Sequence, residues 1–103
     1  EWLQLLNYLG GDSIAGGKLK EVGTVHWTQP NTGATNESGF TALPGGARYM
    51  DGFFYRGSNG CWWSATEADG ANSWNFVMNE KDSFYDKRYW EKRQMVSVRC
   101  VKN

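Results

Sequence analysis

Residues 60–78 read GCWWSATEADGANSWNFVM and hold the two clearest strand signals in the chain. Residues 61–66 and 73–78 are short runs rich in aromatic side chains, and the polar residues between them are typical of a loop. Two such neighbours are expected to pair antiparallel. Trp62 and Trp63 are adjacent, so they must point to opposite faces of the sheet. One ring is therefore expected in the core and the other near the surface.

Upstream of this strand pair, residues 1–9 carry the periodicity of an amphipathic helix. Trp2, Leu5, Leu6 and Leu9 are spaced i, i+3, i+4 and i+7, which places them on one face. Two glycines at 10–11 then end the helix. The apolar periodicity of this helix begins at the first residues, with no capping residue before it. We therefore expect that the chain starts inside a larger fold.

A second, shorter helix is predicted directly after these glycines. Residues 12–13, Asp-Ser, offer an N-cap, and Ile14, Ala15 and Leu19 could line its apolar side. The glycine pair at 16–17 weakens the interior of such a helix by about 1 kcal/mol per residue.

The middle of the chain reads as loops and short strands. Residues 23–39 are rich in Thr, Asn, Gly and Pro and predict an ordered loop held by side-chain hydrogen bonds. The amides and glycines of this loop could hold a ligand. For Asn36, Glu37 and Ser38 we instead favour a structural role, in which their side chains cap backbone groups of the loop. Short strands are expected at 40–43 and on both sides of a turn within 48–55, and 58–60 reads as a further turn.

The last strand signal lies at residues 95–101, MVSVRCV. Val96, Val98 and Cys100 alternate with polar residues, which predicts that these three face the core. Taken together, the predicted elements give one core, formed by Trp2, Leu6, Leu9, Phe40, Leu43, Trp62 or Trp63, Val96 and Val98.

The composition fits one small globular domain over residues 1–103. Eleven Lys and Arg balance 11 Asp and Glu, so the formal net charge is zero, and 16% of the residues are aromatic. A chain with zero net charge lacks the net positive charge that is typical of nucleic-acid-binding proteins. The apolar runs are too short for a transmembrane helix. We therefore expect a domain that binds no nucleic acid and does not insert into a membrane.

The two cysteines, Cys61 and Cys100, allow one disulfide, two free thiols or a partner outside this chain. No Cys-x-x-Cys or Cys/His pair is present, which disfavours zinc. Neither sequence neighbourhood is electropositive enough to predict an activated thiolate. A catalytic pair is not expected.

Three motifs together resemble one bacterial family. They are ATNESGFTALPGGAR at 34–48, GCWWSATE at 60–67 and SVRCVK at 97–102. In this order they are similar to the Fibrobacter succinogenes major paralogous domain, and the resemblance covers essentially the whole chain. It implies a secreted or surface-associated module with a C-type-lectin-like fold: an α+β domain with one or two N-terminal helices on a small, twisted, mostly antiparallel sheet with long ordered loops.

The chain departs from this family pattern at several positions. Family members usually begin with an earlier strand whose cysteine can bridge to the position of Cys100, and this strand is absent here, so Cys100 is expected to be unbridged. The terminal sheet is then either incomplete or completed by another copy of the chain, and the second alternative would be self-association. An aromatic is more usual at Cys61, a glycine at Met95 and a basic residue at Phe76.

Residues 72–94 are the predicted ligand surface because they combine rigid rings with hydrogen-bonding side chains. The candidate binding residues are Trp74, Asn75, Asn79, Tyr85, Tyr89 and Trp90. They predict non-enzymatic recognition of a carbohydrate or protein ligand outside the cell or at its surface. The competing interpretation of this segment is a solvated charged hairpin with some rings folded inward.

The same sequence allows other interpretations of its function. The alternative to a recognition module is a structural module of a bacterial surface assembly. The resemblance to formylglycine-generating relatives also suggests a cysteine-dependent oxidase, which is the least favoured of the three functions. His26 has no adjacent nucleophile and reads as a loop histidine. No resident cofactor is expected. A minor reading is calcium held by acid and amide oxygens among Asn36, Glu37, Glu67, Asp69, Asn75 and Asn79.

Overall fold

A computed structural model describes residues 1–102 as two helices followed by two antiparallel sheets. The helices are α1 (Trp2–Tyr8) and α2 (Ala15–Leu19). The strands are β1 (Ala47–Tyr49), β2 (Gly52–Phe54), β3 (Asn59–Glu67), β4 (Asn72–Asn79) and β5 (Tyr85–Glu91). Strands β1 and β2 form a hairpin, while β3, β4 and β5 form a three-stranded sheet in sequence order. The α+β prediction is confirmed.

Helix α1 packs on the three-stranded sheet through the predicted face. Leu6 and Leu9 are buried in the core, and Trp2 and Leu5 pack against it half-buried. The Trp2 ring stacks on Phe76 of β4 with ring centroids 5.2 Å apart. None of the helices in the described part of the chain is long and apolar enough to cross a membrane.

Helix α2 forms as predicted, but its start differs from the prediction. Its N-cap is Ile14, and no side chain caps it, so the proposed Asp-Ser cap is wrong. Gly16 and Gly17 are buried because the backbone of other segments lies against them. A Cβ atom at Gly16 would come closer than 3.0 Å to the carbonyl oxygen of Phe84. The glycine pair therefore permits a close approach between α2 and the segment before β5.

The central strand pair agrees with the prediction. Strand β3 pairs antiparallel with β4, with Trp62 opposite Phe76 and Trp63 opposite Asn75. Trp62 is buried and Trp63 is half-buried, on opposite faces as expected. Strand β5 was not predicted, because its sequence YDKRYWE has no apolar face. It is an edge strand whose charged side chains reach solvent.

The alternation of side chains gives the three-stranded sheet two different faces. We call the side that carries Trp62 and Phe76, and that packs on α1, the helix face. The other side carries Asn75 opposite Arg88, and we call it the hairpin face because β1 and β2 lie over it.

The predicted last strand is wrong. Between residues 95 and 101 only Met95 and Ser97 form bridges, to Arg48 and Trp62, and no strand is formed. Val98 is 70% exposed and Cys100 is exposed, so neither belongs to the core. The pairing register of β3 shifts immediately after Trp63, which removes the regular edge that residues 98–101 would need.

Two further predictions in the middle of the chain need correction. Residues 40–43 form a single bridge, between Ala42 and Lys20, instead of a strand, and Leu43 is exposed. Asn59 and Gly60 belong to β3 instead of to a turn. The buried apolar residues are Leu6, Leu9, Ala15, Leu19, Trp27, Ala42, Ala47, Cys61, Trp62, Phe76, Val77 and Met78.

The loop over 23–39 is irregular but held by side chains, as predicted. Ser38 donates its hydroxyl to the carbonyl of Lys18, and Asn36 accepts the backbone N–H of Thr41 at 2.8 Å. Trp27 inserts into the core, where its indole N–H donates to the carbonyl of Ala42 at 2.9 Å. Glu37 forms an ion pair with Lys18 instead of a backbone cap.

Candidate functional site

The structure divides the predicted ligand surface between the two faces of the sheet. Trp74 lies opposite Tyr89 in the register, and both lie on the helix face. Asn75 and Trp90 lie on the hairpin face. The six predicted residues therefore do not form one surface.

Tyr85 and Asn79 make contacts that hold the fold together. The Tyr85 hydroxyl donates to Asp12 Oδ1 at 2.9 Å, and its ring packs on Phe76 with centroids 5.8 Å apart. Burial, followed by the carboxylate of Asp12, raises the pKa of Tyr85. Asn79 Oδ1 accepts the backbone N–H groups of Lys81 and Asp82 and so closes the turn after β4.

The hairpin face contains an open cleft of about 440 Å³ between β5 and the β1–β2 hairpin, which we call the hairpin cleft. Its lining combines aromatic rings with planar polar groups. It is lined by Ala47, Tyr49, Phe54, Tyr55, Asn59, Arg88, Trp90 and Gln94. Of the predicted ligand residues, Trp90 is the one that lines it.

Strand pairing and one hydrogen bond position the walls of this cleft. Arg88 and Trp90 are two residues apart on β5, so they project to the same side. Tyr49 on β1 donates its hydroxyl to Glu91 Oε2 at 3.1 Å, which ties the hairpin to β5. Hydrogen bonds from Arg93 and Tyr49 lower the pKa of the Glu91 carboxyl, so it remains an acceptor at neutral pH.

The Asn75 side chain lies on the hairpin face without a hydrogen-bond partner. It is fully buried, and neither Oδ1 nor Nδ2 has a partner. Its neighbours across the strands are Trp63 and Arg88. A buried amide left unpaired costs about 1–3 kcal/mol, so Asn75 in its buried position lowers the stability of the fold.

A second cleft, of about 370 Å³, opens on the helix face beside the register shift of β3. Trp74 forms its wall, with Lys87 Nζ 4.3 Å from the ring centroid. Tyr89 meets Trp74 edge to face and is 59% exposed. This lining contains no side-chain amide, so it offers fewer planar hydrogen-bonding groups than the hairpin cleft.

Comparison with known proteins identifies the family. A family model described as the Fibrobacter succinogenes major domain matches residues 1–102. The chain belongs to this family. The resemblance seen in the three sequence motifs is therefore confirmed. No curated protein and no solved structure matches the chain of this Fibrobacter succinogenes major domain.

The two thiols of this Fibrobacter succinogenes major domain differ in environment. Both are free in the structure. Cys61 is buried in β3, and burial raises its pKa to about 12, an effect that Arg88 only partly offsets. Cys100 is exposed, contrary to its predicted place in the core.

We expect that only Cys100 reacts with Ellman's reagent in the native protein at pH 8. Cys61 should react only after denaturation, because it is buried and its thiolate does not form at that pH. Thiol titration of native and denatured protein, with Cys100→Ser as the control, measures this. Rapid native reaction of Cys61 in Cys100→Ser would contradict the structure.

The remaining candidates for chemistry are dispersed in this family member. His26 is exposed, and its Nδ1 lies 2.9 Å from Glu21 Oε2. The residues considered for calcium are engaged separately: Glu67 pairs with Lys92, and Asp69 bonds to Asn72. Within residues 1–102 no three His, Cys, Asp or Glu side chains are grouped as a metal ion would require.

Sequence reasoning missed most of the hairpin cleft in this Fibrobacter succinogenes major domain. Arg88, Tyr49 and Gln94 were not predicted as binding residues. Recognising 85–91 as a strand would have placed Arg88 and Trp90 on one face by their spacing alone. The contribution of β1 required the tertiary packing of the hairpin over the sheet.

Proposed function

We propose that this chain is a non-enzymatic recognition module that binds a carbohydrate or protein ligand in the hairpin cleft. One observation carries the proposal: four aromatic rings and three planar polar side chains line a single open cleft. The rings are those of Tyr49, Phe54, Tyr55 and Trp90, and the polar groups belong to Asn59, Arg88 and Gln94.

Such a lining suits a ligand with both apolar and polar surfaces. Aromatic rings supply a large rigid contact area at low conformational-entropy cost, and sugars present C–H faces that pack against them. Amide side chains both donate and accept hydrogen bonds, which matches a ring bearing hydroxyl groups. Phe54 and Tyr55 are exposed, so their rings are open to such contact.

We further propose that the fold is C-type-lectin-like and that the module acts outside the cell or at its surface. Two N-terminal helices, a small antiparallel sheet and the long ordered loop over 23–39 support this arrangement. The surface location rests on the family resemblance. A non-enzymatic role is favoured over a cysteine-dependent oxidase because Cys61 is buried and its thiol is protonated at neutral pH, which leaves Cys100 without a second reactive thiol.

Replacing Trp90 by alanine is expected to weaken ligand binding at least tenfold, because a central ring at a binding site contributes about 2 kcal/mol. Binding is measured on a glycan array and by calorimetry for each positive ligand. Trp74→Ala is the matched control, since Trp74 is also a half-buried ring of the same sheet but lies on the helix face. Equal losses in both variants, or loss of stability with binding, would refute this site.

A structural role in a surface assembly is the second candidate. Met50 and Phe53, near the tip of the β1–β2 hairpin, are exposed. Exposed apolar side chains that lie together are typical of contact surfaces. This candidate predicts concentration-dependent association in sedimentation velocity that Phe53→Ser weakens.

A further inference from the structure

Strand β5 presents an unpaired backbone edge to solvent. It pairs with β4 on one side, and within residues 1–102 no strand pairs with its other side. Just beyond β5, the N–H of Lys92 donates to the carbonyl of Ala71, so the backbone groups of Lys92 point toward the chain that leads into β4. Backbone groups alternate in direction along an antiparallel strand. Those of residues 87, 89 and 91 therefore point away from β4.

This edge is closed at both ends and open in the middle. At one end the N–H of Tyr85 donates to the carbonyl of Asp12, and at the other the carbonyl of Glu91 accepts an N–H of the following turn. In the part of the chain that the structure describes, the outward N–H and C=O groups of Lys87 and Tyr89 have no backbone partner. Both side chains are exposed. The middle of the edge is therefore open to another strand.

We propose that the β5 edges of two copies of this chain pair antiparallel about a two-fold axis at Tyr89, which joins the two three-stranded sheets into one. Pairing of a strand with itself is isologous, so it closes as a dimer and leaves neither β5 edge open. Tyr89 then lies opposite Tyr89 of the second copy, and Lys87 lies opposite Glu91 of that copy. These residues carry the outward backbone groups, so each pair can exchange N–H···O=C bonds. The carbonyl of Glu91 has two lone pairs and can accept a second bond.

The charges along β5 favour a second copy as the occupant and select this register. Lys87 forms no ion pair with an Asp or Glu of residues 1–102, and Glu91 of the second copy would become its cross-strand partner. Glu91 binds Tyr49 and Arg93 through Oε2, which leaves Oε1 available. An axis at Lys87 or Arg88 would instead place two lysines or two arginines directly opposite each other, which is destabilising.

The same register brings the hairpin clefts of the two copies together. Arg88 and Trp90 lie on the hairpin face and line the cleft. Around an axis at Tyr89, Arg88 lies opposite Trp90 of the second copy, so each cleft gains an aromatic ring beside its guanidinium. The pairing itself needs no ligand. Association is therefore tested on the protein alone, and its failure would leave the proposed function untouched.

Tyr89→Pro tests the edge in sedimentation velocity of the full chain. A strand edge is smaller than a standard interface, so we expect a wild-type dimer with a Kd of about 10–100 µM. Proline at this position removes an N–H that points away from β4, so the fold should be retained while the Kd rises at least about tenfold. Tyr89→Thr is the matched control. It also loses the ring but keeps the N–H and the strand preference, so it should remain dimeric.

A charge exchange tests the register without a proline. Lys87→Glu puts carboxylates opposite each other at positions 87 and 91, and Glu91→Lys puts ammonium groups there, so each variant alone should be monomeric where the wild type is dimeric. An equimolar mixture of the two variants has opposite charges at both positions and should dimerise. Lys81→Glu, at an exposed position after β4, changes the net charge equally and should leave association unchanged.

The outcomes decide between this dimer and its alternatives. Recovery of the dimer only in the mixture supports the proposed register, whether or not Tyr89→Pro folds. Wild-type protein that stays monomeric up to about 1 mM overturns the dimer. Single charge variants that associate as the wild type does, or a dimer that persists in folded Tyr89→Pro, also overturn it. Association that only Phe53→Ser weakens would assign the contact to the β1–β2 hairpin and not to β5.

Discussion

Replacing Lys20 by methionine is expected to lower the free energy of unfolding by about 3–5 kcal/mol. The Lys20 side chain is fully buried, and its ammonium donates to the carbonyls of Thr32, Asn79 and Asp82 at 2.8–2.9 Å. Methionine would fill similar space but leave these carbonyls without that donor, and each unsatisfied buried group costs about 1–3 kcal/mol. Chemical denaturation of both proteins measures the difference.

The large effect follows from what Lys20 connects. Its ammonium joins the loop at 32 to the turn after β4, and it lies 5.4 Å from the centroid of the buried Trp27 ring. Lys18→Met is the control, because Lys18 is partly exposed and forms only a surface ion pair with Glu37, worth about 1 kcal/mol or less. Similar losses in both variants would contradict a specific role for Lys20.

The pH dependence gives an independent check on the same residue. Burial lowers the pKa of Lys20 from 10.5 to about 8, although Asp82 and Glu80 oppose this shift. Between these two values the unfolded chain binds more protons than the native state, so this group makes the unfolding free energy rise with pH. Lys20→Met lacks this contribution. The difference in stability between wild type and variant should therefore widen from pH 8 to pH 10.

Gly16→Ala is expected to destabilise the protein by about 3 kcal/mol, although alanine favours an isolated helix by about 1 kcal/mol over glycine. The added Cβ would come closer than 3.0 Å to the carbonyl groups of Phe84 and Ser83. These are backbone atoms, so relief of the clash requires α2 to move away from the chain before β5. Melting temperature and denaturant midpoint measure the effect.

Gly70→Ala is the matched control for this substitution. No atom lies within 4 Å of its added Cβ, and Gly70 is not among the glycines with positive φ. Its substitution should therefore be neutral or slightly stabilising, since alanine reduces the entropy of the unfolded chain. Stabilisation by Gly16→Ala would show that α2 does not pack against residues 83–84.

Part of the candidate site could be predicted from sequence. The aromatic rings of residues 72–94 predict a ligand surface there, and Trp90 and Trp74 do line clefts. Composition alone could not assign these two rings to different faces of the sheet. The face of each ring depends on the pairing of β4 with β5, and β5 has no strand pattern in its sequence. Asn75 illustrates the same limit: its type suggested ligand contact, but its complete burial follows from the central position of β4.

The sequence by itself determined the elements whose signals are local. The spacing of Trp2, Leu6 and Leu9 predicted α1, and the two aromatic runs around 67–72 predicted the β3–β4 pair, because periodicity reports which side of an element is apolar. Only the tertiary structure decided the rest. Residues 95–101 alternate as a strand but find no regular edge to pair with, while Lys20 is buried because carbonyls from distant segments converge on its ammonium. Such partners are distant in the sequence, so no local sequence pattern can reveal them.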